Sequence, residues 1–86
     1  MKIIYTSKFE REYKKLPKFL KYLAEEKEKI FRKNPFDKKL NAHKLHGKLK
    51  DFWSFSINYD WRIIFEISKN KKVFYFHSVG NHKIYK

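Results

Sequence analysis

Trp53-Ser54-Phe55-Ser56-Ile57-Asn58-Tyr59-Asp60-Trp61-Arg62-Ile63-Ile64-Phe65-Glu66-Ile67 decides the fold. Trp53, Phe55 and Ile57 alternate with Ser54, Ser56 and Asn58, the period of two that marks a half-buried strand. Asn58-Tyr59-Asp60 supplies a turn. Trp61, Ile63, Phe65 and Ile67 then alternate with Arg62, Ile64 and Glu66. After the polar turn Lys69-Asn70-Lys71-Lys72, Val73, Tyr75, His77 and Val79 alternate with Phe74, Phe76 and Ser78. Connections this short force antiparallel neighbours, because a parallel crossover needs about a dozen residues or more.

Upstream the period changes. Ile3, Ile4 and Tyr5 read as a short first strand. Ser7-Lys8-Phe9-Glu10 has the S-x-x-E form of a capping box, with the Ser7 hydroxyl as the expected cap. Phe9, Tyr13 and Leu16 then fall on one helical face. Pro17 breaks that pattern and suits the first turn of a second helix. Leu20, Leu23, Ala24, Ile30 and Phe31 continue a 3.6-residue period, and Asn34-Pro35 should stop this helix near residue 33. Residues 34–50 read as irregular. The expected fold is therefore α+β in the order β-α-α-β-β-β. Two N-terminal helices pack on one face of a mainly antiparallel four-stranded sheet, and the other face stays open.

At 86 residues the chain makes a single domain, 1–86. No cysteine is present to staple a small core, and nine Phe, six Tyr and two Trp take that role. Lys and Arg number 22 against nine Asp and Glu, a formal net charge of +13. Such a charge on so small a body implies a polyanionic partner. The longest apolar run, Val73 to Phe76, is too short to span a membrane. The opening Met1–Thr6 lacks the apolar region of a signal peptide, so a cytoplasmic location is expected.

No nucleotide-binding glycine motif occurs, and the helices carry no histidine for a zinc-protease motif. The four histidines lack ligand spacing, so neither a metal nor a cofactor is expected. Arg62 lies on the strand face opposite Trp61, Ile63 and Phe65, where a guanidinium can hold a phosphate bidentately. Taken alone, it reads more readily as a sheet-surface arginine paired with Asp60 or Glu66. His82, after Gly80-Asn81, has the side chain for proton transfer near neutrality, although alone it is an exposed tail histidine. Lys48 and Lys50 precede the second strand and alone read as solvated. His43 and His46 alone read as an accident of spacing.

Together the odds change. Arg62, His82, Tyr85, Lys48 and Lys50 come from segments that an antiparallel meander can gather. They supply a phosphate clamp, a proton carrier, a phenol and positive charge, the parts of a metal-independent ribonuclease. In that reaction the RNA 2′-hydroxyl attacks its own 3′-phosphate. The protein accepts a proton, stabilises the phosphorane and protonates the leaving 5′-oxygen.

Three runs carry a family resemblance: His43-Lys44-Leu45-His46-Gly47-Lys48-Leu49-Lys50, Trp53 to Ile67, and Val79-Gly80-Asn81-His82-Lys83-Ile84-Tyr85. They resemble the RelE/ParE superfamily of toxins, closest to the RelE and YafQ-like mRNA interferases of type II toxin–antitoxin systems. The opening S-K-F-x-[RK]-x-[YL]-x-K-L pattern fits as well. The resemblance implies a microbial ribonuclease-like fold and a toxin that cuts mRNA, usually at the ribosome. It also implies a cognate antitoxin that wraps the toxin in a hetero-oligomer. It assigns Arg62 to the phosphate, His82 to proton transfer, and Lys48 and Lys50 to the neighbourhood of the scissile phosphate. Tyr85 closes the motif. Asp60 and Trp61 match the family's D-W pair and His43 its first histidine; with His46 they are expected to bind RNA. Two positions depart: Ser56 stands where relatives have Arg or His, and Ser78 where YafQ-like enzymes have Arg. The alternatives on this fold are a non-catalytic ParE-like inhibitor of DNA gyrase or an inactive antitoxin-binding relative.

Overall fold

The structure, a computed structural model, describes residues 1–81. Within them the elements are β1 (Lys2–Tyr5), α1 (Ser7–Lys14), α2 (Lys18–Lys33), β2 (His43–Lys44), β3 (Trp53–Ser56), β4 (Trp61–Ile67) and β5 (Val73–Asn81). The strands form one sheet in the order β1-β5-β4-β3-β2. The pairs β2–β3, β3–β4 and β4–β5 are antiparallel, as their short connections require. β1 lies parallel to β5, which the intervening helices permit.

Residues 34–50 are more ordered than their sequence suggests. They hold two 3₁₀ turns, Lys38–Leu40 and Gly47–Leu49, and between them β2. His43 pairs with Ser54 and Lys44 with Trp53, so the sheet has five strands rather than four. A two-residue strand is too short to show a period, and both of its side chains are exposed.

The core lies between the helices and one sheet face. Phe9, Leu16, Leu20, Ala24 and Phe31 meet Phe55, Ile57, Ile63, Phe65, Phe74, Phe76 and Val79. Phe31 is its centre. Its ring stacks on Phe55 at 5.0 Å and meets Phe65, Phe74 and Phe76 edge-on at 5.1, 5.3 and 5.2 Å. Such pairs add about 0.5–1.5 kcal/mol each beyond the area they bury.

The β4–β5 register shifts once. Ile64 opposes Ser78 while Phe65 opposes Phe76, which leaves His77 as an extra residue. The shift reverses the alternation of β5 beyond Phe76. Val79 therefore joins Phe74 and Phe76 in the core, while His77 and Ser78 both stand beside Ile64 on the other face. The strict alternation expected for this strand holds only for its first half.

The face away from the helices is not fully open. Ile64 and Leu45 are buried, and Leu49 and Phe52 stand with Ile64 around one hollow. The second 3₁₀ turn thus roofs part of the sheet.

The cap of α1 is Thr6 rather than Ser7. Thr6 Oγ1 accepts from the Phe9 amide at 3.1 Å and donates to the His77 carbonyl at 3.2 Å. The tertiary bond to β5 selects Thr6, which no local motif registers. β1 ends at Tyr5, and α1 takes over the edge of β5 beyond it. Glu12 Oε1 accepts from the Ser78 hydroxyl at 2.8 Å and the Val79 amide at 3.0 Å. Lys8 Nζ donates to Glu12 Oε2 at 2.8 Å and to Ser78 Oγ at 2.9 Å. Burial pushes the Glu12 carboxyl up. The Lys8 ammonium, the Ser78 hydroxyl and the Val79 amide outweigh it and hold the carboxyl below its ordinary value.

Phe31→Ala should cost about 3–5 kcal/mol in urea unfolding, the usual cost of emptying a buried aromatic site; a loss under about 1 kcal/mol would show that the ring cage is not central. Glu12→Gln should lose about 1–3 kcal/mol at pH 7, the worth of hydrogen bonds to a charged group. Because folding lowers the Glu12 pKa, its contribution is complete above about pH 4.3 and fades as pH falls through the folded-state value. Thermal unfolding of both proteins between pH 7 and pH 2 should show the gap closing on acidification. A gap that stays constant with pH would mean that the carboxylate charge plays no part.

Candidate functional site

Arg62 stands at the start of the middle strand, β4, on the face that the helices leave bare. Alternation along β4 sends Ile63 and Phe65 into the core and Arg62 to the other side, where it pairs across the sheet with Ser56 on β3 and Gly80 on β5. The side chain is half-buried. Its Nη1 donates to Ser56 Oγ at 2.9 Å and to the Asn58 carbonyl at 3.0 Å. Asn58 is itself fixed, since its Oδ1 accepts from the Asp60 and Trp61 amides at 3.0 and 2.9 Å. The guanidinium is therefore aimed by neutral oxygens.

No carboxylate pairs with Arg62 among the described residues. Glu66 is taken by His77, whose Nε2 lies 3.0 Å from Glu66 Oε1. Asp60 is exposed in the β3–β4 turn. Two buried polar atoms on this face lack a hydrogen-bond partner, Arg62 Nε and Ser54 Oγ. The guanidinium is thus held through Nη1, while its own Nε is a buried donor left without a partner, where buried donors are normally satisfied.

The other expected residues fall in different places. Lys48 and Lys50 are exposed on either side of Leu49, which leans into the hollow over Ile64, next to Arg62 along the strand. Gly47, at φ +67°, allows that turn. His46 is exposed just before it. His43 is exposed on β2 at the sheet's outer edge, its Nδ1 3.2 Å from the Asn41 carbonyl. Trp61 packs half-buried against the helix-side core, on the face opposite Arg62. His82 and Tyr85 lie outside the described residues. The sequence singled out neither Ser56 nor Asn58 as holders of Arg62. Nor did it single out the Lys8–Glu12–Ser78 cluster or the Glu66–His77 pair. Alternation places Ser56 beside Arg62, but nothing in the sequence announces the bulge that turns His77 and Ser78 to one side.

A larger hollow lies elsewhere. A groove of about 800 Å³ runs between α1 and α2, floored by Phe9, Ala24 and Ile63. Glu10, Glu25 and Glu28 line it together with Arg11, Lys14 and Lys21. These charges balance, so the groove gathers no phosphate-attracting field, and none of the site residues expected from the sequence lines it. Arg62 lies on the other face of the sheet, away from this groove. Among the described residues no three His, Asp or Glu side chains gather to hold a metal ion, and no helix is long and apolar enough to cross a membrane.

A family model describing the bacterial toxin YafQ of type II toxin–antitoxin systems matches residues 1–85. No curated protein matches the chain. Among solved structures, YafQ from E. coli strain BL21(DE3) is 19% identical with a TM-score of 0.78, over 94% of this chain and 92% of that one. The archaeal RelE–RelB complex from Pyrococcus horikoshii OT3 matches at 19% identity and a TM-score of 0.76, over 96% of each chain. The E. coli DinJ–YafQ toxin–antitoxin complex matches at 24% identity and a TM-score of 0.65, over 94% and 91%. At these identities the structural matches establish the fold, which is RelE-like.

Proposed function

From a chain that belongs to the YafQ family of bacterial toxins from type II toxin–antitoxin systems, we propose a metal-independent endoribonuclease that cleaves mRNA at the ribosome. The observation that carries the proposal is Arg62. It is held by Ser56 and Asn58 on the bare sheet face with no carboxylate to neutralise it. In the proposed reaction the 2′-hydroxyl attacks the adjacent phosphorus and the P–O5′ bond breaks. Arg62 donates to the non-bridging oxygens as they gain charge, a stabilisation that grows toward the transition state. In this reading Lys48 and Lys50, exposed on either side of Leu49, add positive charge for the RNA backbone. The resemblance gives His82 the proton transfer and Tyr85 a place at the motif's close.

The two departures from the family pattern have local readings. Ser56 cannot carry charge, but its hydroxyl orients Arg62. Ser78 stands where the resemblance puts an arginine, and Lys8 Nζ lies 2.9 Å from its hydroxyl. A cation from α1 therefore stands beside that position. The proposed partner is an antitoxin, supported by the antitoxin complexes of the structural relatives. A +13 body favours an acidic, largely disordered segment that folds on contact.

Arg62→Ala should remove toxicity in a sensitive host while the protein stays folded, since loss of one such donor typically costs about 10²–10³ in rate. Primer extension on mRNA after induction checks it. Cuts made by wild type and absent from the mutant support the reading. Growth arrest without cuts, accompanied by a DNA-damage response, would favour gyrase inhibition instead. Association with the product of the adjacent gene should slow as salt rises, because steering is Coulombic. Dissociation should change little, because buried apolar area is not screened. Rates measured by surface plasmon resonance at several salt concentrations test this, and a salt-independent association rate would refute steering.

A further inference from the structure

Next to Arg62 the bare face holds a hollow of about 290 Å³ that the phosphate chemistry leaves unused. Ile64 stands in it, together with Leu49, Phe52 and His77, and Thr6, Lys8 and Ser78 bring polar groups. Ile64 is two residues from Arg62 on the same strand and the same face, a step of about 6–7 Å. That is within the reach of one nucleotide whose phosphate sits at Arg62.

The hollow has the chemistry of a flat heterocycle's site. The Phe52 and His77 rings meet edge to face, 5.0 Å apart and at 88°, making an aromatic corner. A planar ring laid on one of them meets the edge of the other, the arrangement that aromatic groups prefer. The surroundings are apolar, with Ile64 buried. Polar groups are few and fixed: Lys8 Nζ is held by Glu12 and Ser78, and His77 Nε2 by Glu66. The Glu66 contact fixes the orientation of the His77 ring in the corner. Fixed polar groups beside an aromatic corner suit the edge of a base. The bulge in β5 makes the site, because it turns His77 and Ser78 to the same face.

We propose that this hollow is a nucleobase subsite, taking the base of the nucleotide that flanks the scissile phosphate at Arg62. The proposal rests on the nuclease reading above. RNA is favoured over a peptide side chain because the neighbouring guanidinium has no carboxylate partner among the described residues and the whole body is basic.

The test uses the wild-type protein and a short RNA that it cuts, supplied both free and on programmed ribosomes. The nucleotides on either side of the cut are made abasic in turn. At one of them, removal of the base should lower kcat/KM by about 5- to 150-fold, the range that aromatic stacking supports. Phe52→Leu, verified as folded by thermal unfolding, should erase most of that dependence, and His77→Gln should weaken it. Equal cleavage of intact and abasic RNA overturns the subsite and leaves the nuclease reading standing. So does a dependence that Phe52→Leu and His77→Gln leave untouched, because the base then stacks elsewhere. Failure to cut the intact RNA in either setting overturns the nuclease reading and removes the subsite with it.

Discussion

The Phe31 ring, sunk among four phenylalanines from three strands, is the constraint on which the rest depends. A domain of this size buries only about 60% of the surface its unfolded chain exposes. No disulfide compensates. The aromatic cage therefore fixes α2 against β3, β4 and β5 together. Once the helices occupy one face, alternation leaves the next residue of each strand on the other. Arg62 faces away from the core because its neighbours Ile63 and Phe65 must face into it. The position of the candidate site is thus a by-product of how the core is filled.

The legible part of the sequence is the part governed by local period. The β3–β4 hairpin, the two helices, the helix stop at Lys33 and the side taken by Arg62 all follow from spacing alone. The illegible part is tertiary. β2 is two residues long and has no pattern of its own. The shift at Ile64 and Phe65 follows from cross-strand packing, and it moves Val79 into the core against the alternation of its own strand. The capping box pointed to Ser7, whereas the bond to the His77 carbonyl favours Thr6. In the site, the type and face of Arg62 were readable. Its holders were not, because Ser56 and Asn58 carry no signal until the hairpin brings them within 3 Å.

Charge placement explains why Arg62 has no carboxylate partner among the described residues. Glu12 is spent on Lys8, Glu26 on Lys29, Glu28 on Arg32 and Tyr5, and Glu66 on His77. Pairs of this kind contribute little to stability, about 0–1 kcal/mol when exposed. Their effect is on the electrostatic map. Glu66 is occupied by His77 and Asp60 is exposed in a turn, so neither neutralises Arg62.

The parallel pairing of β1 with β5 bears on when the protein becomes whole. Lys2 to Tyr5 find their partners only at Val73 to Phe76. A nascent chain grows at about 5–20 residues per second, so the first strand waits several seconds for the last. During that interval α2 has no Phe74 or Phe76 to receive Phe31, and Arg62 has no β5 beside it. Such long-range closure is slow to form. A chain in mid-synthesis therefore carries neither the core nor the assembled face. Both are completed only when β5 has been delivered.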